Sequence, residues 1–381
     1  MTHAYSSREL LTELVNIPSV NPRVRGAAPG DGEAELARFV QHTLASAGVD
    51  VELQEVHPGR HNVIAHVVPS RVRDRSVLLF SAHMDTYPES APGSGEYRAV
   101  EREGWLYGRG SADAKGSLAA MMRAVLASVR ASRRRELFMV ASVDEEFALS
   151  GARKLTTHGV RASLAVTGEP TRLVPIVAQK GIARFRIRVE GESAHAAYPQ
   201  RDSVLLQAGR LLAAIESFSS VLTREARPDA LGSATLTATR LDCDGDMNKT
   251  PRACTLSLDA RFLPDDSAEE FVARLSIHLR RALGSALSFE LEPPHFVSPA
   301  NRCPTHHALV GELFAAIRGE AGACEPSVFS YGSEAGVLAQ MADAALVFGP
   351  GDPKFSHGPG ERVELREVEA AARVFERIAT G

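Results

Sequence analysis

The first 181 residues carry two hydrophobic patterns in alternation. Apolar residues recur at helical spacing in some segments, and short runs rich in apolar and β-branched residues separate them. The run 77–82 is apolar almost throughout, which is typical of a strand buried on both faces of a parallel sheet. The pattern predicts helices over 7–16, 32–47, 115–130 and 151–159, and strands over 51–56, 62–68, 77–82, 137–143 and 164–166. Strands that alternate with helices predict an α/β fold with a mostly parallel sheet flanked by helices.

A different pattern occupies residues 182–292, where strands alternate between apolar and polar positions as in an antiparallel sheet with one wet face. The predicted order is strand 182–190, helix 201–218, strands 233–241 and 253–262, helix 267–283 and strand 286–291. This β-α-β-β-α-β order is the ferredoxin-like α+β pattern. The α/β pattern resumes with a helix over 306–319, a strand over 344–348 and a helix from 365. We therefore predict one α/β domain, 1–181 and 293–381, interrupted by an inserted domain, 182–292.

Composition narrows the class of protein. The formal charge of −4 argues against a nucleic-acid partner, and the basic run 130–135 is interpreted as a solvated loop. No apolar stretch of 18 residues is present, so we expect no membrane span. The first 14 residues show no signal-peptide pattern, and the four cysteines have no CxxC spacing, which together favour a cytoplasmic protein with reduced thiols.

Histidines and acidic residues follow the predicted strands or open Gly-rich turns. They are His83, Asp85, Asp113, Glu145, Glu146, Glu169 and His357. Each has an ordinary explanation by itself: Asp113 suits a helix N-cap, Glu145 and Glu146 suit a solvated turn, and His83 suits a structural histidine. Together they supply the ligands for two divalent metal ions, with one carboxylate left over as a base. The set therefore points to a two-metal hydrolase.

Asp85 is expected to support His83. Residues two apart on a strand face the same way, so the Asp85 carboxylate can accept a hydrogen bond from the distal ring nitrogen of His83.

The chain resembles the di-zinc amidohydrolase family that includes acetylornithine deacetylase, succinyl-diaminopimelate desuccinylase, aminoacylase and carboxypeptidase G. The resemblance covers nearly the full length and rests on segments in the family's order: SAHMDTYP, GRGSADAKG, SVDEEF, TGEPT, GESAHAAYP, MNKTP, DARFLP, YGSEAG and FGPGDPKFSHGPGE. Ala82, Ala114 and Ser333 depart from the glycine, methionine and threonine that are frequent in the family, and none of the three removes a ligand.

The resemblance assigns roles in the α/β domain. It implies that His83 and Glu169 hold one zinc ion, that Glu146 and His357 hold the other, and that Asp113 bridges them. It also implies that Asp85 orients His83, that Glu145 is the general base, and that the peptide bond after Asp113 is cis. Co²⁺ or Mn²⁺ are possible substitutes for Zn²⁺.

The resemblance also assigns roles to the insert. It implies that His195 stabilises the oxyanion, that Asn248 and Arg261 hold a substrate carboxylate, and that the insert is a lid that pairs with its twin in a homodimer. Arg261 could instead be an exposed ion-pair partner on its strand, and His195 an ordinary loop histidine.

The expected function is hydrolysis of an N-acyl amino acid, in the manner of acetylornithine deacetylase. A carboxypeptidase or dipeptidase of the same family, and a non-catalytic binding protein on this fold, remain alternatives.

Overall fold

A computed structural model describes residues 5–28, 32–69, 75–130, 135–198, 202–226, 230–284 and 287–381. The predicted starts of one helix, at 201, and of one strand, at 286, lie outside these residues, as do residues 131–134 of the basic run. The chain forms two compact units. Unit 1 comprises Met1–Val177, Arg302–Ser327 and Ser333–Gly381, and unit 2 comprises Ala178–Asn301 and Val328–Gly332.

The helices are Ser7–Asn16 (α1), Ala34–Ser46 (α2), Gly116–Arg130 (α3), Glu145–Ala148 (α4), Ser150–Leu155 (α5), Val204–Arg224 (α6), Ala268–Leu283 (α7), Ala308–Ala321 (α8), Ala335–Leu338 (α9) and Leu365–Thr380 (α10). The strands are Asp50–His57 (β1), Arg60–Val67 (β2), Val77–His83 (β3), Val100–Arg102 (β4), Trp105–Tyr107 (β5), Glu136–Ser142 (β6), Leu164–Thr167 (β7), Ile176–Gln179 (β8), Gly181–Glu190 (β9), Thr235–Cys243 (β10), Ala253–Phe262 (β11), Glu290–Leu291 (β12), Phe296–Ser298 (β13), Asn301–Arg302 (β14), Ser327–Phe329 (β15), Ala345–Val347 (β16) and Arg362–Glu364 (β17).

The large sheet has the order β1-β2-β6-β3-β7-β16-β8-β14, with β15 beside β8. Strand β3 pairs in parallel with β6 and with β7, and β16 pairs in parallel with β7. The hairpin β1–β2 joins β6 antiparallel at one side. Helices α1, α2, α3, α8 and α10 share one apolar core with these strands. The predicted α/β class is confirmed.

A small sheet of unit 1 was not predicted. Its order is β17-β5-β4, and all its pairings are antiparallel. Each of these strands is three residues long, which is too short to show an alternating pattern in the sequence.

Unit 2 contains the ferredoxin-like sheet, with the order β10-β11-β9-β12 and antiparallel pairing throughout. Alternate residues of β9 and β11 are buried under α6 and α7 in a second apolar core. The predicted order of elements is confirmed.

Helix α6 is long and apolar enough to cross a membrane by length and composition, although we expected no such segment. Six of its seven buried residues recur at intervals of three or four, among them Ala208, Leu211, Ile215 and Phe218, and the seventh, Ala214, is next to Ile215. This spacing is that of one face packed on a core, and a core helix of this kind passes the same length and composition test.

The expectation of four reduced thiols is wrong for one pair. Cys243 and Cys254 face each other across β10 and β11 with a Cα–Cα distance of 4.4 Å, and they form a disulfide. No spacing motif marks this pair, because the pairing depends on the register of two strands. Cys303 and Cys324 are free.

Candidate metal centre

Parallel strands bring the candidate ligands of unit 1 to one edge of the large sheet. His83 is the last residue of β3, Glu145 and Glu146 follow β6, and Glu169 follows β7. His357 lies in the segment after β16. Because parallel strands end at the same edge, these side chains meet although the sequence separates them widely. Asp113 reaches the same place from the kinked turn Ser111–Lys115 before α3, and the predicted cis bond between Asp113 and Ala114 is present.

The Asp113 carboxylate lies between the two histidines. Its Oδ1 is 3.1 Å from Nε2 of His83, and its Oδ2 is 3.2 Å from Nε2 of His357. Each histidine has a second carboxylate: Oε1 of Glu146 is 2.9 Å from Nε2 of His357, and Oε2 of Glu169 is 3.8 Å from Nε2 of His83. The arrangement has two halves that share Asp113.

The support of His83 differs from the predicted one. Its Nδ1 donates to the backbone carbonyl of Asp85 at 2.9 Å, while the Asp85 carboxylate is 3.7 Å away. Strand β3 ends at His83, so the alternation that would align the two side chains does not continue to Asp85. The hydrogen bond still leaves Nε2 as the ring nitrogen that faces Asp113. The Asp85 carboxylate instead accepts hydrogen bonds from Asn21 and from the backbone amides of Glu145 and Glu146, at 2.8, 3.1 and 3.0 Å.

Carboxylates crowd this centre. Burial raises the pKa of Glu146 and that of Glu169 to about 7. Burial and then the neighbouring Glu169 raise the pKa of Glu145 well above its usual value. Burial alone would raise the pKa of Asp113, but hydrogen bonds from His357 and His83 hold it below its usual value.

The histidines respond in the opposite direction. Burial lowers the pKa of His357, but hydrogen bonds to Asp113 and Glu146 outweigh burial and raise that pKa to about 10. In the same way, hydrogen bonds to Asp113 and Glu169 outweigh burial and raise the pKa of His83 well above its usual value. The protein alone therefore compensates the carboxylates by keeping protons on the histidines.

These residues fit divalent cations. His83, Asp113 and Glu146 each offer a ligand atom, and these atoms lie within 4.8 Å of one another. With zinc–ligand bonds of about 2.0–2.1 Å, neighbouring ligand atoms in a tetrahedral site are about 3.3 Å apart. The four histidine–carboxylate distances, 2.9–3.8 Å, bracket that value. Imidazole and carboxylate together are ligands that suit zinc.

Two buried charged residues that the sequence analysis missed hold the Asp113 turn. Oε1 of Glu361 accepts the backbone amides of Ala112 and Asp113, both at 3.2 Å. The Lys115 ammonium donates to the carbonyls of Leu14 and Ile17 at the end of α1, at 2.9 and 2.8 Å, and burial lowers its pKa to about 7. Their contacts join residues that are 98 to 249 positions apart in the chain, so no local motif predicts them.

The remaining candidates, His195, Asn248 and Arg261, belong to unit 2. The loops that carry His195 and Asn248 are joined, since the amide of Ala196 donates to the carbonyl of Asn248 at 2.9 Å. Nδ1 of His195 accepts the amide of Ala197 at 3.1 Å, so in the neutral ring Nε2 carries the proton and is a donor. Arg261 on β11 donates through Nε to Asp259, two residues earlier on the same strand, at 2.6 Å.

Ala82, Ala114 and Ser333 are the three positions that depart from common family usage. Ala82 and Ala114 are fully buried. The Ser333 hydroxyl accepts the amide of Ala335 at 3.2 Å, a contact that a threonine hydroxyl could also make.

Comparison with known proteins found a matching family profile and similar proteins. The sequence profile described as "Peptidase family M20/M25/M40" matches residues 79–381. Acetylornithine deacetylase of Myxococcus xanthus is 29% identical over 378 residues, with 97% of this chain and 96% of that protein covered. Acetylornithine deacetylase of Vibrio campbellii is 28% identical over 359 residues, with 91% of each covered.

Solved structures show the same fold. The M20 family metallo-carboxypeptidase Sso-CP2 from Sulfolobus solfataricus superposes with a TM-score of 0.77 at 18% identity, and 99% of each chain is covered.

Proposed function

The chain belongs to peptidase family M20/M25/M40, and on that premise we propose that it hydrolyses the amide bond of an N-acyl amino acid with two bound divalent metal ions. The observation that carries the proposal is the Asp113 carboxylate, which faces one histidine with each oxygen. Each histidine also has its own glutamate, and Glu145 is close enough for the charges of Glu169 and His83 to shift its pKa. Two curated relatives, at 29% and 28% identity, are acetylornithine deacetylases, which favours an acylated amino acid as the substrate.

In this proposal His83 and Glu169 would hold one ion, Glu146 and His357 would hold the other, and Asp113 would contribute to both. Zinc suits the ligands, and Co²⁺ or Mn²⁺ would be substitutes. When bound, the ions would lower the pKa of water toward about 7 and polarise the amide carbonyl.

Glu145 is the general base. It takes the proton from the attacking water and delivers it to the leaving nitrogen, so that one carboxylate serves both transfers. His195 donates a hydrogen bond from its Nε2–H to the oxyanion. This role suits the tautomer in which Nδ1 accepts the Ala197 amide and Nε2 carries the proton. Asn248 and Arg261 bind the substrate carboxylate, and the Arg261 guanidinium exchanges its Asp259 partner for the substrate. Asp85 orients His83 through its backbone carbonyl.

The proposal also covers the role of the insert, the partners of the protein and its location. The insert acts as a lid and as the contact between two copies of the chain, the substrate is a small molecule, and neither nucleic acid nor a membrane is a partner. The enzyme acts in the cytoplasm. The state of the Cys243–Cys254 pair in cells tests that location: cytoplasmic thiols are kept reduced, so a disulfide that persists in cells would contradict it. Mass spectrometry after alkylation of the protein in freshly lysed cells would report the state of the pair.

The test is a substrate panel on purified protein reconstituted with zinc, cobalt or manganese. It contains N-acetyl and longer N-acyl amino acids, the same amides with the carboxylate esterified, and dipeptides. Glu145→Gln is the matched control, since it keeps the size of the side chain and removes the base.

Hydrolysis of N-acyl amino acids that needs the free carboxylate, an added metal and Glu145 supports the proposal. Cleavage restricted to dipeptides assigns the carboxypeptidase or dipeptidase alternative. Metal and ligand binding without turnover of any member would contradict an enzymatic role.

A further inference from the structure

Asp144 occupies the position directly before the glutamate pair, between β6 and α4. Its backbone is left-handed, with φ 64° and ψ 30°, a conformation that side chains other than glycine, asparagine and aspartate rarely adopt. Its side chain is completely buried. Burial of a charged carboxylate is costly unless it is paired and hydrogen-bonded, so the partners of Asp144 must compensate for its burial.

Those partners are four residues from three segments of unit 1. The Asp144 carboxylate accepts hydrogen bonds from Arg60 at 3.3 Å, from Arg23 at 3.1 Å, from Asn21 at 3.1 Å and from the Ser150 hydroxyl at 2.5 Å. Two guanidinium groups and two neutral donors thus surround one carboxylate. His57 also approaches it, with Nε2 at 3.5 Å.

Arg60 is itself fixed from the other side. Its Nε and one terminal nitrogen donate to the two oxygens of Glu33 at 2.6 and 2.5 Å, a bidentate pair. Oε1 of Glu33 also accepts the backbone amide of Asp144 at 3.2 Å. Glu33, Arg60 and Asp144 therefore form a closed triangle in which Arg60 holds the side chain of Asp144 and Glu33 holds its backbone. Glu33 is fully buried and Arg60 is 8% exposed.

The triangle is linked to the metal centre through Asn21. One amide nitrogen, Nδ2 of Asn21, donates both to Asp144 and to Asp85, at 3.1 and 2.8 Å. Asp85 in turn accepts the backbone amides of Glu145 and Glu146. The backbone of both glutamates is thus fastened to the same buried network as the residue before them.

From these contacts we infer that Asp144 is a positioning residue for Glu145 and Glu146, and that the Glu33–Arg60 pair fixes Asp144. The inference rests on the proposed function, because it concerns the orientation of Glu145 as the general base and of Glu146 as a metal ligand. Asp144 does not touch a substrate. Its carboxylate sets the direction in which α4 leaves β6, and so the place of both glutamate side chains.

The primary variant is Asp144→Asn. Asparagine has the same size and tolerates the left-handed turn, but it lacks the charge that both arginines bind. Asp144→Gly keeps the turn easily and removes the carboxylate altogether, so it separates backbone conformation from the side-chain network. Arg60→Lys keeps the charge but cannot bind Glu33 and Asp144 with a planar fork.

The matched control is Glu312→Gln. Glu312 accepts from the buried Arg135 at 2.9 Å, just before β6 begins, whereas Asp144 follows the other end of that strand. This variant also neutralises one carboxylate of an arginine pair, but far along the strand from the centre.

With both metal positions filled, Asp144→Asn and Asp144→Gly should lower kcat by about 10- to 100-fold while KM stays within about 2-fold, the pattern of a displaced catalytic group. Glu312→Gln should leave kcat within about 2-fold. Arg60→Lys should lower kcat as much as Asp144→Asn does. The double variant of Arg60→Lys with Asp144→Asn should have a kcat no lower than that of the less active single variant, because both substitutions break the same network. Wild-type kcat in Asp144→Gly, or losses that simply multiply in the double variant, would overturn the inference.

A second readout does not depend on turnover. In metal-free protein, backbone amides of peptides spanning 143–150 should exchange with deuterium at least about 10-fold faster in Asp144→Asn than in wild type or Glu312→Gln. The visible spectrum of bound Co²⁺ should shift in the same variant, because Glu146 is displaced. If wild-type protein hydrolyses no acyl amino acid but these two signals change, the proposed function fails and the positioning role stands. If turnover is present and both signals match wild type, the positioning role is wrong. Should Asp144→Asn fail to fold, Arg60→Lys supplies the same comparisons.

Discussion

Glu146 contacts His357, with 2.9 Å between Oε1 and Nε2, although 211 residues separate them in the chain. Its neighbour Glu145 has a different environment, in which burial and then Glu169 raise its pKa well above the usual value. The two consecutive glutamates therefore have different surroundings: Glu146 contacts a histidine, whereas Glu145 is buried beside another glutamate.

The first prediction concerns this difference. Glu145→Gln should keep two metal ions and lose about 10²–10⁴-fold in kcat, because a general base is removed. Glu146→Gln should lose one metal ion, because among the described residues Asp113 is then the one charged partner left to His357. Metal analysis by mass spectrometry together with steady-state kinetics checks both. The opposite pattern, with metal lost only in Glu145→Gln, would exclude this division of roles.

The second prediction concerns pH. The pKa of His357 is raised to about 10 and that of His83 is also raised, so both rings carry protons at pH 7 in the metal-free protein. A ring must lose its proton before it can bind a metal ion. Zinc binding at pH 7 should therefore release at least about one proton per ion, and the affinity should rise with pH until His357 is deprotonated near pH 10.

Calorimetry of zinc binding in buffers with different ionisation enthalpies measures this release. Asn248→Ala is a suitable control, since it lies in unit 2 and should release the same number of protons. Binding heats that are independent of the buffer would show that the histidines are already neutral.

The third prediction concerns Gly349, which follows β16. A Cβ atom there would lie 2.6 Å from the carbonyl oxygen of Glu169 and would also meet the Ser117 hydroxyl. Gly349→Ala should therefore move the backbone of Glu169, lower the free energy of unfolding by about 1–3 kcal/mol and weaken metal binding at the His83 half. Gly311→Ala in α8 is the control, because nothing lies within 4 Å of its Cβ position. It should stabilise the protein by about 0.5–1 kcal/mol. Thermal melts and zinc titrations of both variants decide the matter, and equal metal affinity in the two would speak against the clash.

The fold was predictable where the hydrophobic pattern is long. The apolar runs of β3 and β6 and the alternation of β9 and β11 identify the two kinds of sheet, because burial on two faces or one leaves a different periodicity. The three-residue strands β4, β5 and β17 left no such pattern.

The candidate ligands of unit 1 could be proposed because each follows a strand or opens a Gly-rich turn. The residues that support these ligands could not be predicted. Asn21, Arg60, Lys115 and Glu361 act through contacts with residues far away in the chain, and their types and spacing are those of ordinary surface positions. The Asp85 contact was wrongly predicted for a different reason: β3 ends at His83, two residues before Asp85, so strand alternation does not align the two side chains.

The fourth prediction concerns His195. If the insert joins two copies of the chain, His195 can serve the metal centre of the partner subunit. His195→Ala and Glu145→Ala should each be inactive, but after subunit exchange each mixed dimer contains one complete site. Random pairing makes about half of the dimers mixed, so about a quarter of wild-type activity should return.

Exchange is verified with differently tagged chains, and a mixture of two Glu145→Ala preparations is the control. If His195 serves its own chain, both sites of the mixed dimer are broken and activity stays at the level of the control.

The two-metal centre is tested most directly by titrating metal-stripped protein with zinc while hydrolysis of an N-acetyl amino acid is followed. Activity should rise until about two equivalents are bound, and Asp113→Asn should abolish this behaviour, because one carboxylate serves both halves of the centre. Full activity at about one equivalent, or activity that persists in the stripped protein, would contradict a two-metal centre built around Asp113.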